Sequence, residues 1–79
     1  MSPTVFREGA SRFFFFSREE SRVHIHVVGP GGEGKFWIEP EVKCAMSVGL
    51  SEREINQFQR ILVERKEEIL NAWNRHFSS

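Results

Sequence analysis

Two histidines separated by one residue are the side chains in this sequence best suited to chemistry. They are His24 and His26, with Ile25 between them. On a β-strand, residues i and i+2 project from the same face about 6.5–7 Å apart, and at that spacing two imidazoles can converge on one metal ion. Zn²⁺ is bound by histidine together with a carboxylate or a thiolate. The pair therefore indicates a candidate site for Zn²⁺ or another divalent metal.

A third ligand, or a catalytic carboxylate, would have to come from another part of the chain. The carboxylates we consider are Glu19, Glu20 and Glu39, and the less suited ligands are Cys44 and His76. With Glu39, the two histidines also form a candidate acid–base group. Two alternatives remain open for the histidines: solvated side chains, or side chains hydrogen-bonded near the edge of a sheet.

The glycine-rich segment from Gly29 to Lys35 has the spacing that opens a phosphate-binding P-loop. The next residue is Phe36, where a P-loop has the Ser or Thr that holds magnesium. A P-loop also leads into a helix, whereas the residues after Gly34 alternate like a strand and stop at Pro40. We therefore interpret the segment as a hairpin turn and assign no nucleotide binding to it.

Aromatic side chains near the histidines indicate a second kind of site. Because alternate side chains of a strand point to opposite faces, Phe14 and Phe16 lie on one face, and Phe13 and Phe15 lie on the other. Trp37 joins them if the neighbouring strands pair. An exposed apolar patch of this kind usually marks an interface or a ligand site. The alternative is structural burial, under the N-terminal segment or through the twist of the sheet, and both interpretations stay open.

The same aromatic face, with Arg12, Arg22 and Lys35 at its edges, resembles a stacking platform for nucleic acid. The chain has 11 basic and 11 acidic residues, so no basic excess supports binding to phosphates. Charges of both signs also alternate along the C-terminal segment, which is typical of a solvated surface. Nucleic acid is therefore an alternative partner that the net charge does not support.

Length and cysteine content restrict how the chain is stabilised and where it works. Its 79 residues predict a single domain, residues 1–79, and a domain of this size often needs a metal or a partner subunit for stability. Cys44 is the one cysteine, which excludes an internal disulfide and fits a reducing compartment.

The N-terminus has no apolar h-region, and no apolar run could span a bilayer. We expect a bacterial cytoplasmic protein without a membrane segment.

The elements that must position these side chains are short strands in the first 48 residues. Alternation and composition predict strands over residues 12–17, 22–28 and 35–39. Two shorter strands are predicted, one over 4–7 at an edge and one over 42–47, where a helical turn is the alternative. The intervening turns and loop are expected at 8–11, 18–21 and 29–34, and Pro40 ends the strand before it.

The C-terminal part predicts one long amphipathic helix over residues 51–77. Ser51 and Glu54 form a capping box, and Arg65 and Lys66 interrupt the apolar stripe with aliphatic stems that can cover apolar surface. The stripe consists of Ile55, Phe58, Leu62, Ile69, Trp73 and Phe77. Such a helix would be about 40 Å long in a domain about 25–30 Å across. It must either bend near Arg65 or project past the sheet.

In their order along the chain, these segments resemble a bacterial family catalogued as domain of unknown function 4160. The family pattern runs from Arg-Phe-Phe-Phe-Tyr-Ser through Pro-Pro-His-Val-His-Val, a Gly-rich turn and Lys-Phe-Trp-Leu-Glu-Pro to a Gly before the helix and a late Trp. The matching segments here are Arg12-Phe-Phe-Phe-Phe-Ser17, His24-Ile-His26-Val27, Lys35-Phe-Trp-Ile-Glu-Pro40, Gly49 and Trp73. The resemblance covers nearly the whole chain.

Two positions depart from the family pattern. Phe16 stands where the pattern has Tyr, which removes a hydroxyl that could contact a ligand. Ser21 and Arg22 replace the Pro-Pro pair, which removes a rigid entry to the histidine strand. The resemblance implies a prokaryotic stand-alone domain, often encoded beside another small protein, and therefore a two-component, toxin–antitoxin-like pair.

We therefore expect an α+β fold, in which a small antiparallel sheet of three to five strands (residues 1–48) is followed by one long C-terminal helix (residues 51–77). The first functional hypothesis is a module that binds a protein partner, or a second copy of itself, through the aromatic sheet face or the end of the helix. The residues of these surfaces are Phe14, Phe16, Trp37, Trp73 and Phe77. The second hypothesis is a small hydrolase or nuclease, with or without metal, that uses His24, His26 and Glu39.

Overall fold

The computed structural model of the chain describes residues 4–16 and 21–77. They form a five-stranded antiparallel sheet followed by two helices, so the α+β fold and the strand number agree with the prediction. The strands are β1 (Thr4–Glu8), β2 (Ser11–Phe14), β3 (His24–Gly29), β4 (Gly32–Trp37) and β5 (Lys43–Val48). The helices are α1 (Glu52–Glu64) and α2 (Lys66–Phe77). Most of the predicted 18–21 loop lies outside the described residues.

The strands lie in the sheet in the order in which they follow one another along the chain, β1-β2-β3-β4-β5. One row of directly paired residues crosses four of them, because Phe14 pairs with His26, His26 with Lys35, and Lys35 with Met46. Side chains of this row point to one face, which we call the outer face. Their chain neighbours point to the opposite, inner face.

Both helices pack on the inner face. Phe58 of α1 meets Phe13 edge-on, with ring centroids 5.7 Å apart, and Trp73 of α2 meets Phe15 in the same way at 5.4 Å. The buried apolar core consists of Phe6, Phe13, Phe15, Ile25, Val27, Phe36, Ile38, Val42, Phe58, Leu62, Ile69 and Trp73. The alternation of apolar and polar residues along the strands therefore corresponds to a sheet with one face covered by the helices.

The glycine-rich segment forms the β3–β4 hairpin, as predicted, but its turn is shorter than predicted. Gly29 pairs with Gly32, so the turn comprises Pro30 and Gly31 alone, and β4 begins at Gly32. The tip of the hairpin packs against Gly49, whose φ is 82°. A Cβ at Gly49 would lie 2.6 Å from the carbonyl oxygen of Gly31. Glycine is needed here for both its φ and its size.

The prediction of one long C-terminal helix is wrong, because the chain forms two helices that meet at Arg65. A continuous helix of about 40 Å would exceed the longest dimension of the domain, 36 Å. The break at Arg65 positions α2 so that Ile69 and Trp73 are buried. The capping box of Ser51 and Glu54 at the start of α1 is confirmed.

Arg65 ties the helix junction to the first strand. Its guanidinium lies 3.6 Å from the centroid of the Phe6 ring. It also forms ion pairs with Glu68 at 3.0 Å and with Glu8 at 3.3 Å. The hydrogen bond to Glu68 is the main reason that the pKa of Arg65 is raised. A residue that interrupts the apolar stripe in the sequence is thus an anchor in the fold.

No helix among the described residues is long and apolar enough to cross a membrane.

Candidate functional site

The outer face carries four of the five exposed large apolar side chains of the described residues. Among the described residues, the large apolar side chains classed as exposed are Phe16, Val28, Met46, Val48 and Val63, with exposed fractions from 38% to 59%. All except Val63 belong to the outer face, because they pair with its residues or line its groove. Scattered apolar residues on a surface are ordinary, but a contiguous group indicates a contact surface.

A shallow groove of about 270 Å³ runs across this face between β2 and β5. Phe14 and Phe16 form one wall, Met46 and Val48 form the other, and the side chains of the floor are His26, Lys35 and Glu33. The groove is therefore apolar at its walls and charged at its floor. Such a site can accept one apolar side chain together with a polar or charged neighbour.

Cations lie on the aromatic rings of this face. The guanidinium of Arg22 is 4.2 Å from the Trp37 ring centroid, and the ammonium of Lys35 is 4.7 Å from the same centroid. Arg12 lies 4.5 Å from the Phe14 ring. These cation–π contacts hold long side chains in place on the sheet. Arg12, Arg22 and Lys35, which the sequence predicted at the edges of a stacking platform, therefore lie on the outer face itself.

His24 is almost completely buried, with 1% of its surface exposed. Its Nδ1 is 2.7 Å from the main-chain carbonyl oxygen of Arg22. Because a carbonyl can only accept, Nδ1 carries the proton and donates it. The ring also meets Trp73, Trp37 and His26 edge-on at 5.2, 5.8 and 5.5 Å between centroids. His24 thus joins the sheet to α2.

His26 is more accessible than His24 and belongs to the groove. Its ring stacks on Phe14 at a centroid distance of 5.6 Å and meets Phe16 at 5.5 Å. The two histidines therefore share one side of the strand, as predicted, but they have different surroundings. His24 is covered by Trp37 and Trp73, and His26 faces the groove.

Glu39 is exposed and lies in the connection between β4 and β5. Its main-chain carbonyl accepts a hydrogen bond of 2.8 Å from Nε of Arg22. Within residues 4–16 and 21–77, no group of three or more His, Cys, Asp or Glu side chains is placed to hold a metal ion. Glu19 and Glu20 lie outside the described residues. Metal binding and acid–base chemistry by His24, His26 and Glu39 stay predictions.

Of the two expected arrangements, a bend near Arg65 or a helix that projects past the sheet, the chain adopts the first, and Trp73 lies in the core. Trp73 is 7% exposed, and its ring lies 4.2 Å from that of Phe77 and 5.4 Å from that of Phe15. The expectation that Trp73 offers a surface to a partner is therefore wrong for the folded domain. Phe77 is half-buried beside it.

Met46 and Val48 are site residues that the sequence analysis did not single out. The signal was present, because Met46, Ser47 and Val48 alternate between apolar and polar side chains. That alternation does not reveal which face of the sheet the helices cover, and Met46 and Val48 could equally have belonged to the core.

The two edges of the sheet are less suited to a partner than its outer face. The pairing shifts by one residue in β1, between Thr4 and Phe6, and again in the β4–β5 ladder, beside Lys35 and Phe36. Each edge strand therefore contains a bulge or irregularity. Bulges discourage the addition of another strand. A partner is better accommodated by side chains of the outer face than by main-chain pairing.

Comparison with protein families gives one result. The family described as domain of unknown function (DUF4160) matches residues 11–74. The chain belongs to this family. The match runs from the first residue of β2 into α2, so it includes the residues that line the groove, and it confirms the resemblance seen in the sequence. No curated protein and no solved structure is found to be similar to the chain.

Proposed function

We propose that this chain is a protein-interaction module that binds its partner through the outer face of the sheet. One observation carries the proposal: four of the five exposed large apolar side chains of the described residues, Phe16, Val28, Met46 and Val48, belong to this one face. Burial of such side chains is the main favourable contribution to protein association. The partner we propose is the second small protein of a two-gene, toxin–antitoxin-like pair, which family membership suggests.

Burial of His24 favours this function over a hydrolase or nuclease. A catalytic histidine must reach its substrate, and only 1% of the surface of His24 is exposed. The contacts of His24 with Trp37 and Trp73 give it a sufficient structural role.

A matched pair of valine substitutions tests the interaction function. Val48 on the outer face and Val63 on α1 are 58% and 57% exposed, so Val48→Asp and Val63→Asp remove equal apolar surface from different sides. The full chain is co-expressed with the product of the gene next to its own, and the amount of partner that co-purifies is measured. We expect Val48→Asp to lose the partner and Val63→Asp to retain it, because only Val48 borders the groove.

Sedimentation of the chain alone, before and after the same substitutions, separates a second copy from a different protein. A dimer that Val48→Asp dissociates would identify the partner as another copy of the chain. Equal behaviour of the two variants in both measurements would overturn the proposed function.

A further inference from the structure

Met46 is the most exposed large apolar side chain of the described residues, with 59% of its surface exposed. It lies on β5, an edge strand of the sheet, and forms one wall of the groove together with Val48. The thioether of Met46 differs from the other apolar side chains of the groove, because its sulfur can be oxidised to a polar sulfoxide. The chain has one other methionine, Met1, which lies outside the described residues.

The position of Met46 makes its polarity important for the whole groove. Met46 pairs with Lys35, Lys35 with His26, and His26 with Phe14, so Met46 ends a row of side chains that crosses four strands. With about 4.8 Å between neighbouring strands, this row is about 14 Å long. The aromatic wall of the groove stands at the Phe14 end and the aliphatic wall at the Met46 end. A polar group at Met46 would therefore interrupt one of the two apolar walls.

Cys44 carries the other sulfur of the described residues, and its surroundings differ from those of Met46. It is half-buried, packs against the core, and donates a hydrogen bond of 3.6 Å to the main-chain oxygen of Met46. A sulfur that donates in this way is a protonated thiol, whereas oxidants react with the thiolate. A thioether has no proton to lose. Of the two sulfurs, that of Met46 is therefore the one presented for oxidation.

We propose that Met46 is an oxidation site whose sulfoxide releases the partner from the groove. The oxidant is hydrogen peroxide. A lone pair of the sulfur attacks one peroxide oxygen, the O–O bond breaks, and an S=O bond forms. The proton of the transferred oxygen goes to the departing hydroxide, which leaves as water. The sulfur loses two electrons and the peroxide gains them.

The sulfoxide opposes binding because it accepts hydrogen bonds from water that a partner packed on the groove excludes. The change is reversible, since methionine sulfoxide reductases restore the thioether. This inference rests on the proposed function, because it states how binding to the same face is regulated.

Peptide mapping by mass spectrometry of the full chain, treated with hydrogen peroxide, tests the oxidation step. Fragment ions assign each added oxygen to Met46 or to Cys44, which lie in one tryptic peptide. We expect Met46 of the free chain to oxidise nearly as fast as N-acetylmethionine amide. In the complex with the product of the neighbouring gene, Met46 should oxidise at least roughly tenfold more slowly, because oxidation follows exposure. The midpoint of urea unfolding should not change, because Met46 lies outside the core.

Two substitutions at the same position isolate the polarity of the sulfoxide. The chain is oxidised alone, the peroxide is removed, and untreated partner is then added. Oxidation should weaken binding roughly tenfold to hundredfold, the cost of burying a polar group without a hydrogen bond. Met46→Leu is similar in size and has no sulfur, so peroxide should leave its affinity at its own untreated value. Met46→Gln should weaken binding without any oxidant, and sulfoxide reductases should restore the affinity of the oxidised chain.

The outcomes separate this inference from the function on which it rests. The oxidation site is overturned if Met46 oxidises at least roughly tenfold more slowly than the free amide. It is also overturned if the oxidised chain binds the partner as tightly as before, or if peroxide weakens Met46→Leu equally. If Val48→Asp still loses the partner in these cases, the interaction function stands without this regulation. If Val48→Asp and Val63→Asp behave alike, the function itself fails, and the regulation fails with it.

Discussion

At the scale of single residues, the histidine pair shows how two identical side chains on one strand acquire different roles. His24 lies against Trp73 of α2 and donates from Nδ1 to a main-chain carbonyl. His26, two residues on, lines the groove beside Phe14 and Phe16. The spacing puts both on one side of the strand, and their position relative to α2 decides which of them is covered.

Replacing His24 by Ala should destabilise the domain by about 2–3 kcal/mol. The substitution leaves a cavity between Trp37 and Trp73 and removes the donor that satisfies the carbonyl of Arg22. Urea unfolding measures the change in the free energy of unfolding. The control is His76→Ala, which removes an exposed ring and should cost less than about 1 kcal/mol. Equal losses in the two variants would contradict a structural role for His24.

At the scale of elements, the joint between the β3–β4 hairpin and α1 depends on glycine. Gly49 has a positive φ and touches the main chain of Gly31. Gly9, in the β1–β2 turn, has a φ of 61°, but a Cβ there would meet no other atom within 4 Å. The two glycines therefore separate the effect of backbone conformation from the effect of close packing.

Gly49→Ala should destabilise the domain more than Gly9→Ala does. Both variants place a side chain in the left-handed region, at a cost of about 1–2 kcal/mol. Gly49→Ala also brings a methyl group against the Gly31 carbonyl, which should raise the total to about 3 kcal/mol. Thermal or urea unfolding of both variants gives the comparison. Equal costs would mean that the hairpin tip moves aside freely.

At the scale of the whole molecule, the sheet is a simple succession of hairpins with its helices on one side. β3 is the central strand and is paired with β2 and β4, whereas β1 and β5 each have one neighbour. The helices protect the inner face, and the outer face is supported from beneath by the same core. The surface proposed to bind the partner thus belongs to the stable part of the domain.

Hydrogen exchange should reflect this arrangement. We expect the slowest amides in β3 and β4, at Val27 and Phe36 among others, because these residues are paired on both sides and their side chains are buried. Amides of β1 should exchange at least about tenfold faster, since this edge strand opens without disrupting the sheet. Amide exchange followed by NMR gives the rates. Protection of β1 equal to that of β3 would contradict the order of stability proposed here.

Much of the fold could be predicted because its signals are local. The alternation around Ile25 and Phe36 predicts strands, and Ser51 with Glu54 marks the start of a helix, since side-chain periodicity and capping act within a few residues. The boundaries were less accurate at Gly29 and Gly32, where the register of pairing, and not composition, decides which glycines belong to the turn.

What the sequence determined by itself was the set of chemical groups and the side of each strand on which they lie: His24 with His26, and Phe14 apart from Phe13. Only the tertiary structure decided which of those groups the solvent reaches. The break at Arg65 positions α2 so that Trp73 is buried against His24, while Met46 and Val48 stay exposed on the outer face. The physical reason is that periodicity is a local property, whereas burial depends on contacts between residues far apart in the chain.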